Sequence, residues 1–257
     1  MSGDGKGVRL EKTDGVAFVT LDAPPLNILS AAMMAAISEA LADARADRSL
    51  KAVAFASTGK AFSAGADVGE HRPEQAPEMI AAFSRMFSLL GALELPIVMA
   101  VDGAALGAGF ELAMMADVLL ASERAKFGQP EIRIGFFAPV GVAWLPARIG
   151  PARAMEVTCS GRTYTAAEMH AMGLVSRVVP PEGLYAALDE TLADFRRASP
   201  LVMRLNARMV RQLAGRPFEE ARREAEKVFL EELMPSEDVR EGIASFFEKR
   251  EPVWKNR

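Results

Sequence analysis

Two glutamates and two runs of small residues carry the chemistry this sequence can do. Glu111 is the one charge in the apolar run that follows Gly103, Gly107 and Gly109. Glu131 stands 20 residues further on, in the segment Gly128-Gln129-Pro130-Glu131. A carboxylate inside an apolar segment is costly to bury without a partner. Two carboxylates at one pocket can divide the work, one as base and one as acid, when their surroundings push their pKa values apart. The plainer role for Glu131 is a surface one, as a cap or as a partner of Arg133.

The small residues supply the second ingredient. The runs 57–67 and 102–109 each follow a strand-like stretch and precede a helix-like one. In a parallel sheet the C-terminal ends of neighbouring strands open on one crevice. Backbone N–H groups near Ala66 and Ala108 would then face one oxygen and form an oxyanion hole, worth about 2.7–4 kcal/mol per donor. Small side chains let a substrate approach the backbone closely. The helix that begins after Gly107 adds a dipole favouring negative charge. Two tight turns packed for structural reasons alone would look the same in sequence.

Other nucleophile and cofactor patterns fail on inspection. Gly107 to Leu112 starts like a dinucleotide fingerprint, but Leu112 stands where a third glycine is needed. Ser63 lies in a partial nucleophile elbow with Ala61 in place of the first glycine, and a serine hydrolase also needs a histidine. His71, beside Glu70 and Arg72, reads as a solvated loop histidine, and His170 as structural. Lys60 at the mouth of the first run is placed to meet a phosphate or simply to be solvated. Trp144 and Phe136-Phe137 read either as an acyl-pocket lining or as core. The methionines, Met155 among them, are expected in the core.

The elements that must position these residues alternate up to about residue 180. Strand-like runs 8–13 and 15–22 flank the turn signal Asp14-Gly15. Ser30 caps a helix to about Arg45, with Met33, Ile37 and Leu41 on one face. A strand at 50–56 leads into the first small-residue loop. A helix from about Pro77 to Leu93 and a strand at 97–101 precede the central glycine turn. Short strands at 117–122 and 125–127 read as a pair that carries the chain from Glu111 back to Glu131. The run 136–145 contains Pro139 and is closed by Pro146. Pro151 opens a helix to about Ser160, and Thr165 to Glu168 is a capping box. A strand at 174–179 follows. Beyond Pro180-Pro181 only helical patterns occur, at 182–198, 200–214, 217–234 and 236–249. This is an α/β core with a helical C-terminal appendage. Apolar residues of that appendage, among them Leu205, Val228, Phe246 and Phe247, need a covering partner.

Composition narrows the classes. The chain has 257 residues, half of them hydrophobic, enough for a full core. A net charge of −4, with no basic run near aromatic residues, gives no nucleic-acid or membrane surface. One cysteine, Cys159, excludes an internal disulfide and a Cys-rich metal site, and it is expected to be a buried, inert thiol. Two histidines are too few for most zinc sites. The first residues lack the apolar core of a secretory signal, and no apolar run of about 20 residues could span a bilayer. The expectation is a cytoplasmic protein without a bound metal.

With both loops and both glutamates laid out, the chain resembles the crotonase superfamily, the enoyl-CoA hydratase/isomerase family. The motifs are Lys60 to Asp67 (KAFSAGAD), Asp102 to Leu112 (DGAALGAGFEL) and Phe127 to Glu131 (FGQPE). The runs 24–27, 172–178 and 240–250 match in outline. The resemblance implies a spiral of β-β-α units, with an acyl-CoA-binding core over 1–195 and a helical trimerisation region over 196–257. It implies an acyl-CoA thioester substrate, no separate cofactor, and a homotrimer or a dimer of trimers. The oxyanion donors fall on Ala66 and Ala108, and the acid and base on Glu111 and Glu131. Contacts to the thioester and its CoA fall on Lys60, Ala64, Gly65, Asp67, Gly107 and Gly109, and Lys249 would reach CoA on a neighbouring subunit. The implied reaction is hydration of a 2-enoyl-CoA. Double-bond isomerisation, another acyl-CoA reaction and a non-catalytic CoA-binding or scaffold role are the alternatives. One departure stands out. Where typical hydratases continue P-G-x-G-G-T, this chain has Gly135 to Leu145, with Pro139 lacking an N–H and Trp144 adding bulk. That variant resembles the hydratases of cyclic dienoyl-CoA thioesters, which makes Pro139 and Trp144 candidates for substrate contact.

Overall fold

A computed structural model describes residues 7–257. The reading of the N-terminus as lacking a secretory signal rests on residues outside that range. Among the described residues, no helix is long and apolar enough to cross a membrane.

The fold is a spiral in which each turn feeds two sheets. Strands β1 (Val8–Thr13) and β2 (Val16–Leu21) form the expected antiparallel hairpin. Helix α1 (Ala31–Ala46) starts at Ser30, whose side chain accepts from the Met33 N–H. Then β3 (Ala52–Ser57) turns a corner into β4 (Ala61–Ser63) before α2 (Ala76–Gly91). The next unit repeats this with β5 (Ile97–Val101), β6 (Ala104–Leu106) and α3 (Ala108–Met114). A third turn follows with β7 (Val118–Ser122) and β8 (Lys126–Gly128). Helices α4 (Pro139–Ile149) and α5 (Pro151–Ser160) lead to β9 (Thr163–Thr165), α6 (Ala166–Met172) and β10 (Arg177–Val179). One sheet has the order β1-β2-β3-β5-β7-β10, and the other β4-β6-β8-β9. The successive units pair in parallel within each sheet.

Several expectations need correction. β7 and β8 are not partners. They lie in different sheets, and β8 runs between β6 and β9. Strands β4, β6 and β9 were not foreseen. At three residues each, they are too short to show a period. Pro146 does not close the run 136–145 but lies inside α4, and Pro139 is its first residue. An interior proline costs about 3 kcal/mol. Burying Leu145 and Ile149, at about 1.5–3 kcal/mol each, offsets that.

The larger sheet is covered on both faces, so its central strands read as continuous apolar runs. Val53, Phe55, Ile97 and Met99 join the main core with α1 and α2. Ala52, Ala54, Val98 and Ala100 face α7 (Leu184–Arg197) through Leu184, Leu188 and Leu192. The remaining helices are α8 (Pro200–Leu213), α9 (Phe218–Val228) and α10 (Glu237–Glu248), with a π-turn at Phe229–Leu233. α8 is tied back to the core by Arg211, which donates to the Leu95 carbonyl at 2.8 Å and pairs with Asp117. Phe218, Phe246 and Phe247 are exposed, while Leu205 and Val228 are buried. Two further readings fail: Cys159 and Met155 lie on the exposed face of α5, where only Ala154 and Val157 are buried.

Candidate active site

The two small-residue loops meet. Gly65 has φ +107°, and an ideal Cβ there would lie 2.9 Å from the Leu106 carbonyl oxygen and 3.7 Å from the Ala108 nitrogen. Only a residue without a side chain lets the loop after β4 lie this close to the end of β6. The Gly65 carbonyl is held by the Leu29 N–H at 2.9 Å. Ala108 is the first residue of α3, so its N–H lies outside the helical ladder. The Ala66 N–H has no acceptor among the described residues. Ala66 and Ala108 both line a cavity of about 460 Å³, together with Ala64, Gly65, Gly107 and both glutamates. With only seven residues, α3 contributes a small dipole, so the donors themselves matter more than the helix.

Glu111 is 2 % exposed. Its Oε1 accepts from the N–H groups of Val140 at 2.7 Å and Gly141 at 2.9 Å, in the first turn of α4. The departure after Gly135 thus has a local purpose. Pro139 occupies the position where a helix needs no N–H, and the next two amides hold the carboxylate. Burial pushes the Glu111 carboxyl up to about 7, and the neighbouring charge of Glu131 adds to this; the Gly141 and Val140 amides oppose it.

Glu131 sits half-buried in the 3₁₀ turn Pro130–Ile134. Burial raises its pKa too, opposed by its own backbone N–H and by the charge of His71. Its position is fixed by Gly107, which has φ +53°, and a Cβ there would lie 2.5 Å from Glu131 Oε1. The carboxylate therefore rests against the backbone next to Ala108. Gln129, 1 % exposed, completes the cradle. With its amide nitrogen turned toward Glu131, it donates to Oε1 at 3.2 Å and Oε2 at 3.0 Å.

Other expected contacts scatter. Pro139 lines the cavity, but Trp144 does not. The Trp144 indole N–H donates to the Met114 carbonyl at 3.1 Å, and its ring packs on the core. Lys60 is exposed, and Asp67 accepts from the Gly69 N–H at 2.8 Å. Neither lines the cavity. Gly109 packs on β4, where a Cβ would lie 2.4 Å from the Ser63 carbonyl oxygen. Lys249 is the exposed residue that ends α10. His71, read from sequence as a solvated loop histidine, lines the cavity, and Gln129, which did not stand out in sequence, braces Glu131. A polar residue in a loop gives no signal of burial. The far wall is apolar, with Met79, Ile80 and Phe83 from α2 facing Ile134, Phe136 and Phe137. Among the described residues, no group of three or more His, Cys, Asp or Glu could hold a metal ion. The arrangement suits proton transfer at a carbon next to an anion held by two amides.

Comparison with known proteins gives a consistent picture. The family model for enoyl-CoA hydratase/isomerase matches residues 11–257. A cyclohexa-1,5-dienecarbonyl-CoA hydratase of Thauera aromatica is 38 % identical over 253 residues, covering 97 % of this chain and 96 % of that protein. A probable enoyl-CoA hydratase of Mycobacterium bovis is 36 % identical over 259 residues, covering 97 % and 98 %. Among solved structures, an enoyl-CoA hydratase subunit from Geobacillus kaustophilus superposes with a TM-score of 0.88 at 33 % identity, covering 98 % of each chain.

Proposed function

Because the chain belongs to the enoyl-CoA hydratase/isomerase family, we propose that it adds water across the 2,3 double bond of an acyl-CoA thioester. The observation that carries this is the meeting of Glu111, Glu131 and the Ala66 and Ala108 amides at one cavity. The thioester oxygen sits between the two amides. Ionised Glu111 takes a proton from the water whose oxygen bonds to Cβ. The electrons of the double bond move to the thioester oxygen, where the two N–H groups stabilise the enolate. Protonated Glu131 then delivers its proton to Cα. The two carboxyls must hold opposite protonation states in the cycle; burial pushes Glu111 up to about 7 and raises Glu131 above its ordinary value. Double-bond isomerisation is the second reading, and one carboxyl shuttling a proton would serve it.

The acyl group we favour is a cyclic diene. The apolar wall of Phe83, Phe136 and Phe137 supports it, as does the similarity to the Thauera aromatica protein. CoA would run from Ala64 towards Lys60, with Lys249 of a neighbouring copy completing its site. The exposed Phe246 and Phe247 support a trimer or a dimer of trimers. No separate cofactor enters this reaction, and its natural setting is the cytoplasm.

The test is loss of the conjugated thioester absorbance with crotonyl-CoA and with cyclohexa-1,5-dienecarbonyl-CoA at equal enzyme. Faster loss with the cyclic diene supports the full proposal. Faster loss with crotonyl-CoA keeps hydration and removes the ring preference. Loss with neither contradicts hydration.

A further inference from the structure

The cavity holds a third polar side chain that the two-glutamate chemistry does not use. We propose that His71 is a specificity-determining residue, presenting Nε2 to an oxygen on the acyl group beyond Cβ. Among acyl groups of equal size, ring or chain, the one carrying a hydroxyl or carbonyl oxygen there is then preferred. This rests on the acyl-CoA reading given above.

His71 ends the 3₁₀ turn Val68–His71, four residues after Asp67. That turn is pinned at two points. The Asp67 carboxylate accepts from the Gly69 N–H at 2.8 Å, and Glu70 accepts from the Ala31 N–H at 2.8 Å. The ring is fixed as well. Nδ1 lies 2.9 Å from the Asp67 carbonyl oxygen, and the ring packs on Phe136 with centroids 5.3 Å apart at 61°. A carbonyl can only accept, so Nδ1 carries a proton and donates it. In the neutral ring Nε2 is then an acceptor, and in the charged ring a second donor. Nε2 has no partner among the described residues, and the residue lines the cavity.

Glu111, Glu131 and His71 are the only polar side chains lining that cavity among the described residues. The rest of the lining is apolar, with Val68, Ala76 and Met79 in it and Phe136 packed on the ring. In the open cavity, water can satisfy Nε2. An apolar acyl group displaces that water and leaves the nitrogen unpaired, whereas a substrate oxygen replaces the bond. A site built to hydrogen-bond a substrate oxygen discriminates against the analogue that lacks it. The competing use of His71 is as a charge acting on Glu131.

The two uses separate in one experiment. Initial hydration rates are measured for pent-2-enoyl-CoA and 5-hydroxypent-2-enoyl-CoA with wild type, His71→Leu and His71→Gln. The wild type is expected to prefer the hydroxylated substrate in kcat/KM by about tenfold, the value of one hydrogen bond. His71→Leu removes that preference, and His71→Gln, which keeps a polar end, retains part of it. An equal loss on both substrates in His71→Leu, with a displaced pH profile, assigns His71 to Glu131 and overturns the proposal. Absence of preference in the wild type overturns it too, while leaving hydration standing. Turnover of neither by a wild type that hydrates cyclohexa-1,5-dienecarbonyl-CoA overturns this proposal alone, and turnover of none of the three removes the hydration reading with it.

Discussion

At the scale of residues, Glu111 is held ready to change its charge near neutral pH. Its carboxyl titrates at about 7 instead of the ordinary 4.5 because it is buried. As a base it must be ionised, so kcat/KM for hydration should climb as pH rises through about 7. A profile flat from pH 5.5 to 8.5 would contradict that role. The same burial has a stability consequence. The folded state keeps this proton up to about pH 7, whereas the unfolded chain releases it near 4.5. Stability is therefore lost as pH rises between those values, by roughly 3 kcal/mol for this displacement. Glu111→Gln should unfold at a higher temperature than wild type at pH 8 and show little difference at pH 4.5. Equal melting differences at both pH values would contradict the burial argument.

At the scale of elements, the site depends on how closely β4, β6 and the turn at Pro130–Ile134 approach one another. Gly107 is the sharpest case, since it combines φ +53° with contact to the Glu131 carboxylate. Gly107→Ala should displace that carboxylate and lower kcat by about 10²-fold, the usual result of a misplacement near 1 Å. Steady-state kinetics beside a melting curve would check this, and wild-type kcat would contradict it. Much of this scale was legible in sequence. The glycines marked the turns, Ser30 and Thr165 marked helix starts, and the apolar runs marked β3, β5 and β7. The three-residue strands β4, β6 and β9 were not legible, because such short pairings are decided by the corner between the sheets. The same corner separates β7 from β8. The roles of Val140 and Gly141 as donors to Glu111 were hidden too. A backbone N–H has no signature in sequence, and the proline before them read only as a missing donor and a substrate contact.

At the scale of the whole molecule, the C-terminal helices leave large apolar side chains uncovered, among them Phe218, Phe246 and Phe247. Single exposed apolar residues are ordinary, but adjacent aromatic ones point to a contact surface. A second copy is the occupant the proposed assembly requires. Sedimentation velocity should give three or six chain masses for wild type, and Phe246→Asp with Phe247→Asp should shift the distribution toward smaller species. A monomeric wild type would contradict the assembly. Sequence pattern showed that these helices carry apolar residues in need of cover. It could not tell Leu205 and Val228, which the chain covers itself, from Phe246 and Phe247, which it does not.

The central claim is that two glutamates share the proton work of one hydration. The most direct test is kcat for Glu111→Gln and for Glu131→Gln with whichever thioester the wild type turns over fastest, alongside the affinity of each variant for that thioester. Each substitution is predicted to lower kcat by at least about 10²-fold, the lower end for general acid–base catalysis, with binding retained. Wild-type turnover in either variant would contradict the division of labour, and in both would end it.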